Sequence, residues 1–169
     1  MIERRAMGEV RAEARTLTGY ALTYGDEARI GGGVETIAPG AVTASLGSDI
    51  LALVDHDPGK VLGRTRSGSL RLVEDTRGLA FTIDLPDTTA ARDVLALVER
   101  GDAGGMSFGF TVPKGGDDWQ GSRRTLRRIA LHEISVITSH PAYKGTSVEA
   151  RIEAAHDLEM MHRRLRLYA

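Results

Sequence analysis

The chain contains no cysteine. Disulfides, thiolate metal sites and a cysteine nucleophile are therefore excluded. Aromatic residues are scarce at 5%, so the core must be built mainly from Leu, Val, Ile and Ala. No run of about 18 apolar residues occurs, which excludes a membrane-spanning helix. The opening Met1-Ile2-Glu3-Arg4-Arg5 lacks the apolar stretch of a secretory signal. Together with the missing cysteines this makes the cytoplasm the expected compartment. The formal net charge is -1, so no overall basic field draws in nucleic acid.

What is present suits one domain with a real core: 169 residues, 41% hydrophobic and 27% charged. Thr16 to Tyr24 alternates as a first strand and Gly25-Asp26 ends it. Gly31-Gly32-Gly33 is not followed by Gly-Lys-Ser/Thr and reads as a loop, not a phosphate cradle. Val34 to Ile37 is a short strand stopped by Pro39-Gly40, and Ala41 to Gly47 is one or two helical turns. Ile50 to Val54 is a continuous apolar run, as in a strand buried on both sides, and it enters the turn Asp55-His56-Asp57-Pro58-Gly59.

Val61 to Gly63, Ser69 to Glu74 and Gly78 to Leu85 are further strands, the last two joined through Asp75 to Arg77. Then the period changes. Thr88 or Thr89 caps a helix with Ala91, Val94, Leu95 and Val98 on one face and Gly101 at its end. A strand over Gly105 to Thr111, a polar loop over Pro113 to Gly121 and a long strand over Thr125 to Thr138 follow. Thr146-Ser147-Val148-Glu149 resembles a capping box that opens a last helix. The predicted fold is mostly β with helices (α+β): a single closed or curled, largely antiparallel β-barrel of about seven strands with peripheral helices. Residues 1–145 carry the β-domain. Residues 146–169 form a C-terminal helix that packs on it or contacts a partner.

The most informative segment is Gly105-Met106-Ser107-Phe108-Gly109-Phe110. In a strand, Met106, Phe108 and Phe110 share one face, and Ser107, Gly109 and Thr111 the other. The second face is nearly bare. A serine nucleophile needs such a seat. Taken alone, the hexapeptide reads first as a buried strand whose serine sits where nothing larger fits.

Of five histidines, His156 and His162 fall on the last helix and His140 precedes Pro141 in a loop. His56 stands at the mouth of a turn directly after a buried strand. That placement anchors the backbone while leaving the ring able to act as a proton acceptor. A third group must orient such a histidine. Leu131-His132-Glu133-Ile134-Ser135 offers two. Alternation places them on opposite faces, Glu133 with Ile129, Leu131, Ser135 and Ile137, and His132 with Ala130, Ile134, Val136 and Thr138; periodicity does not choose between them. No HExxH or paired CxxC spacing occurs, so no metal is expected.

These segments together resemble the prohead proteases of tailed bacteriophages, serine peptidases whose fold is similar to herpesvirus assemblin. Gly19-Tyr20-Ala21 resembles the family's opening strand, and Glu35-Thr36-Ile37-Ala38-Pro39-Gly40-Ala41 its Glu-x-Ile-x-Pro-Gly-Ala segment. The resemblance places the catalytic histidine at His56, the nucleophile at Ser107 and the third member at Glu133, with His132 as the rival, since the herpesvirus relatives use a second histidine. It implies an endopeptidase without cofactor, acting on scaffold or on the scaffolding part of the major capsid protein, and on itself. The implied setting is the assembling procapsid in the bacterial cytoplasm, as a homodimer, in a phage, a prophage or a gene transfer particle. The alternative is a protease-like assembly protein that binds scaffold without cleaving.

Overall fold

The structure is a computed structural model that describes residues 3–13 and 15–138. Among the described residues, twelve strands and one α-helix follow in chain order: β1 (Glu3–Glu13), β2 (Thr16–Thr23), β3 (Ala28–Ile30), β4 (Gly33–Ile37), β5 (Leu51–Val54), β6 (Asp57–Arg64), β7 (Leu70–Glu74), β8 (Gly78–Asp84), α1 (Thr89–Arg100), β9 (Gly105–Thr111), β10 (Asp117–Gln120), β11 (Arg123–Leu126) and β12 (Ala130–Ile137). One sheet has eight strands in the order β6-β5-β12-β9-β1-β2-β8-β7. A second has four in the order β10-β11-β4-β3. Pairing is antiparallel except for β12 with β5 and β11 with β4. The two sheets share one apolar core, in which Leu17, Leu22, Phe81, Ile83, Phe108 and Ile134 of the large sheet meet Ile37 and Leu126 of the small one.

The α+β reading holds, with more strands than the seven expected. Among the described residues no closed barrel is found: β6 and β7 are the edges of the large sheet and share no ladder. The edges nevertheless come close where one short turn joins them, since Arg64 N at the end of β6 donates to Ser69 Oγ, just before β7, at 3.0 Å. The sheet is curled. The helix is as the sequence dictates: Thr88 caps it by accepting from Ala91 N, Gly101 ends it at φ 79°, and Ala91, Val94 and Val98 are buried.

Several elements differ from expectation for identifiable reasons. β1 was not anticipated, because Glu3 to Glu13 is rich in charge and lacks alternation; pairing on both sides, with β9 and β2, overrides that weak propensity. The long strand over Thr125 to Thr138 is two strands in two sheets, because the chain crosses between them at Arg127-Arg128 while Leu126, Ile129 and Leu131 stay buried. The polar loop contains β10, paired with β11. The glycine triplet is a two-residue hairpin turn whose Gly31 and Gly32 take φ 41° and 86°. The expected last helix, with His156 and His162, and the loop residue His140 lie outside the described residues.

Candidate active site

The site starts from a hairpin. β5 and β6 are joined by a turn shorter than the sequence implied: Val54 pairs with Asp57, leaving Asp55 and His56 as its two central residues. Both have positive φ, 48° and 60°, the left-handed pair that a tight type I′ hairpin requires. Such backbone is unfavourable for a side chain as large as histidine and needs support. Support comes from β12. Asp55 N donates to Val136 O at 3.0 Å, and the Asp55 carboxylate accepts from Thr138 N at 2.8 Å and from the Thr138 hydroxyl. The Asp57 carboxylate accepts from Gly59 N at 2.8 Å.

β9 and β12 are neighbours, and Ser107 stands directly opposite Ser135, and Gly109 opposite Glu133. Directly paired residues in an antiparallel ladder share a face, so Ser107, Gly109, Glu133 and Ser135 form one patch. The other face carries Met106, Phe108 and Phe110 against Leu131, Ile134 and Val136, all in the core. His56 folds over the patch from the adjacent strand. Its Nδ1 lies 2.6 Å from Oε1 of Glu133, and its backbone N–H donates to Ser135 Oγ at 3.2 Å. Ser135 in turn donates to Oε2 of Glu133 at 2.7 Å.

Two buried polar side-chain atoms among the described residues have no hydrogen-bond partner: His56 Nε2 and Ser107 Oγ. Buried polar atoms are almost always paired, and an exception calls for an explanation. Here both belong to one patch, because the serine that contacts His56 is the one facing Ser107 across a strand pair about 5 Å wide. The other imidazole nitrogen is already held by a carboxylate. A hydroxyl, an imidazole and an acid on one sheet face, with Nε2 and Oγ left over, is an arrangement suited to nucleophilic acyl transfer.

The rival third member is elsewhere. A β-bulge between Leu131 and Glu133 adds His132 as an extra residue opposite the β9 ladder. His132 is exposed, and its Nε2 is 2.9 Å from Thr111 Oγ1. The same bulge corrects the expected rows: Leu131 pairs with Phe110 on the core side, so it does not share a face with Glu133.

Gly109 also has a different reason from the one anticipated. The bare glycine leaves room for the acid: a Cβ there would lie 2.4 Å from Oε1 of Glu133. Sequence reading passed over Ser135, although the Glu-x-Ser spacing on a strand already puts both side chains on one face. Among the described residues no group of three His, Asp or Glu side chains converges to hold a metal ion. No helix of the described residues is long and apolar enough to cross a membrane.

The model of the caudovirus prohead serine protease family matches residues 2–162. No curated protein and no solved structure matches the chain.

Proposed function

The chain belongs to the caudovirus prohead serine protease family, and from that premise we propose that it is a serine endopeptidase with Ser107 as nucleophile, His56 as general base and acid, and Glu133 as the group that orients His56. It matures a procapsid by cutting scaffold, or the scaffolding part of the major capsid protein, and it cuts its own chain. It works inside the assembling shell in the host cytoplasm, as a homodimer. The curl of the large sheet, with one short turn between its two edges, supports an assemblin-like barrel opened along one seam.

The observation that carries this reading is the 2.6 Å contact between His56 Nδ1 and Glu133, with Nε2 and the Ser107 hydroxyl left unpartnered on the same face. The Ser107 proton passes to Nε2 as Oγ attacks the peptide carbonyl. Glu133 stabilises the imidazolium that forms. Nε2 then gives the proton to the leaving amine, and an ester remains on Ser107. Water, deprotonated by the same nitrogen, breaks that ester. The steps need no metal or organic cofactor.

The test is coexpression with the cognate capsid protein. A shortened capsid product is expected from the wild type and from His132→Ala. It should vanish in Ser107→Ala and His56→Ala, and fall by about three to four orders of magnitude in rate in Glu133→Gln. Cleavage that survives Ser107→Ala refutes the nucleophile. Loss of cleavage in His132→Ala, with Glu133→Gln unaffected, refutes the acid. A folded wild type that cuts nothing identifies a scaffold-binding protein instead of an enzyme.

A further inference from the structure

Ser135 has no task in that mechanism, yet it bonds two of the three proposed members and stands opposite the third. It is fully buried and stands directly across from Ser107. Its hydroxyl accepts the backbone N–H of His56 at 3.2 Å and donates to Oε2 of Glu133 at 2.7 Å. The other carboxylate oxygen meets Nδ1 of the same histidine at 2.6 Å. The contacts close a ring: His56 backbone, Ser135 hydroxyl, Glu133 carboxylate, His56 imidazole, and back through the histidine itself.

The ring has a direction. A backbone N–H can only donate, so Ser135 Oγ accepts from His56. A serine hydroxyl has one proton, and the 2.7 Å contact commits that proton to Glu133. An ionised carboxylate has no proton to give, so Glu133 accepts at both oxygens. The proton of neutral imidazole therefore sits on Nδ1, and the lone pair on Nε2, the atom left for Ser107. The ring also braces the turn. A histidine at φ 60° is held by its own N–H and by its side chain through one shared partner pair.

We propose that Ser135 is a positioning residue: it sets the tautomer and the ring orientation of His56 by holding Glu133 and the histidine backbone together. This rests on the protease reading of the site, and the experiment separates the two. The first readout is the His56 Nδ1–H proton in NMR spectra of the Ser107→Ala chain, where nothing is cleaved. A short imidazole–carboxylate contact places it far downfield. Adding Ser135→Ala should shift that resonance upfield or broaden it away; an unmoved resonance overturns the proposal.

The second readout is kinetic, in the active chain. Ser135→Ala should lower kcat about 10- to 100-fold, the scale of a small misplacement of reacting groups, with KM within about twofold. Ser135→Thr, which restores the hydroxyl, should recover most of the loss. Ser135→Cys, a weaker donor of similar size, should fall between serine and alanine. Equal rates for alanine, cysteine and serine, with cleavage intact, overturn the positioning role while leaving the protease reading untouched. A wild type that cleaves nothing overturns the protease reading, and the NMR result still decides the ring.

Discussion

At the scale of single residues, the site depends on a missing atom as much as on those present. Gly109 has no positive φ to demand glycine. What demands it is the space above its Cα, which Oε1 of Glu133 occupies. In Gly109→Ala the carboxylate must swing aside, and the swing breaks its 2.6 Å contact with His56. We expect kcat to fall about 100-fold or more, while unfolding in urea registers a smaller cost of about 1–3 kcal/mol for the crowded methyl. A variant with full activity would show that the acid is free to act from another position. The Ser-x-Gly spacing was legible in the sequence, and so was the bare face it makes. Its purpose was not, because the occupant of that face arrives from a strand more than twenty residues further on.

At the scale of elements, the Asp55-His56 turn concentrates the local strain of the site. Both central residues are left-handed, and neither is glycine. Asp55 offsets this by bonding Thr138 through its backbone N–H and its hydroxyl. Asp55→Ala loses both contacts and keeps the unfavourable backbone, so it should cost about 2 kcal/mol in urea unfolding. Asp55→Asn keeps an acceptor oxygen and suits left-handed backbone, so its stability should stay near that of the wild type. Equal losses in the two variants would refute the pinning role. Where local chemistry decides, the sequence was readable: Thr88 and Gly101 bound the helix, and Asp55-His56 falls in the turn. Where pairing decides, it was not. The bulge at His132 exists because β9 offers one residue where β12 has two, and no periodicity within β12 alone reveals it. β1 was hidden for the same reason: its neighbours on both sides make it a strand.

At the scale of the whole molecule, the large sheet collects the site from three adjacent strands. β5 delivers the histidine, β12 the acid and β9 the serine. Arg124 of the small sheet ties it to Glu3 of the large one at 2.7 Å, while also holding Asp117 at 2.8 Å and Glu35 at 3.0 Å within its own sheet. Burial pulls the Arg124 guanidinium down, but hydrogen bonds to Glu3 and Asp117 outweigh it and hold the group above its ordinary value. The site is also closed. Ser107 is 1% exposed, and its hydroxyl and Nε2 of His56 are both shut off from solvent. Reaction with any reagent from solution then requires an opening motion first. Two fluorophosphonates of different intrinsic reactivity should label Ser107 at rates that level off at one shared ceiling as reagent concentration rises. Rates that stay proportional to concentration, and differ between the reagents, would mean the hydroxyl is already accessible.

On the protease reading proposed above, a hydroxyl sealed in this way separates manufacture from use. Copies held in that state would stay inactive beside their targets until the seal opened. The moment of cleavage would then belong to whatever lifts the seal, and its timing to the mechanics of the protein more than to the chemistry of the proposed triad.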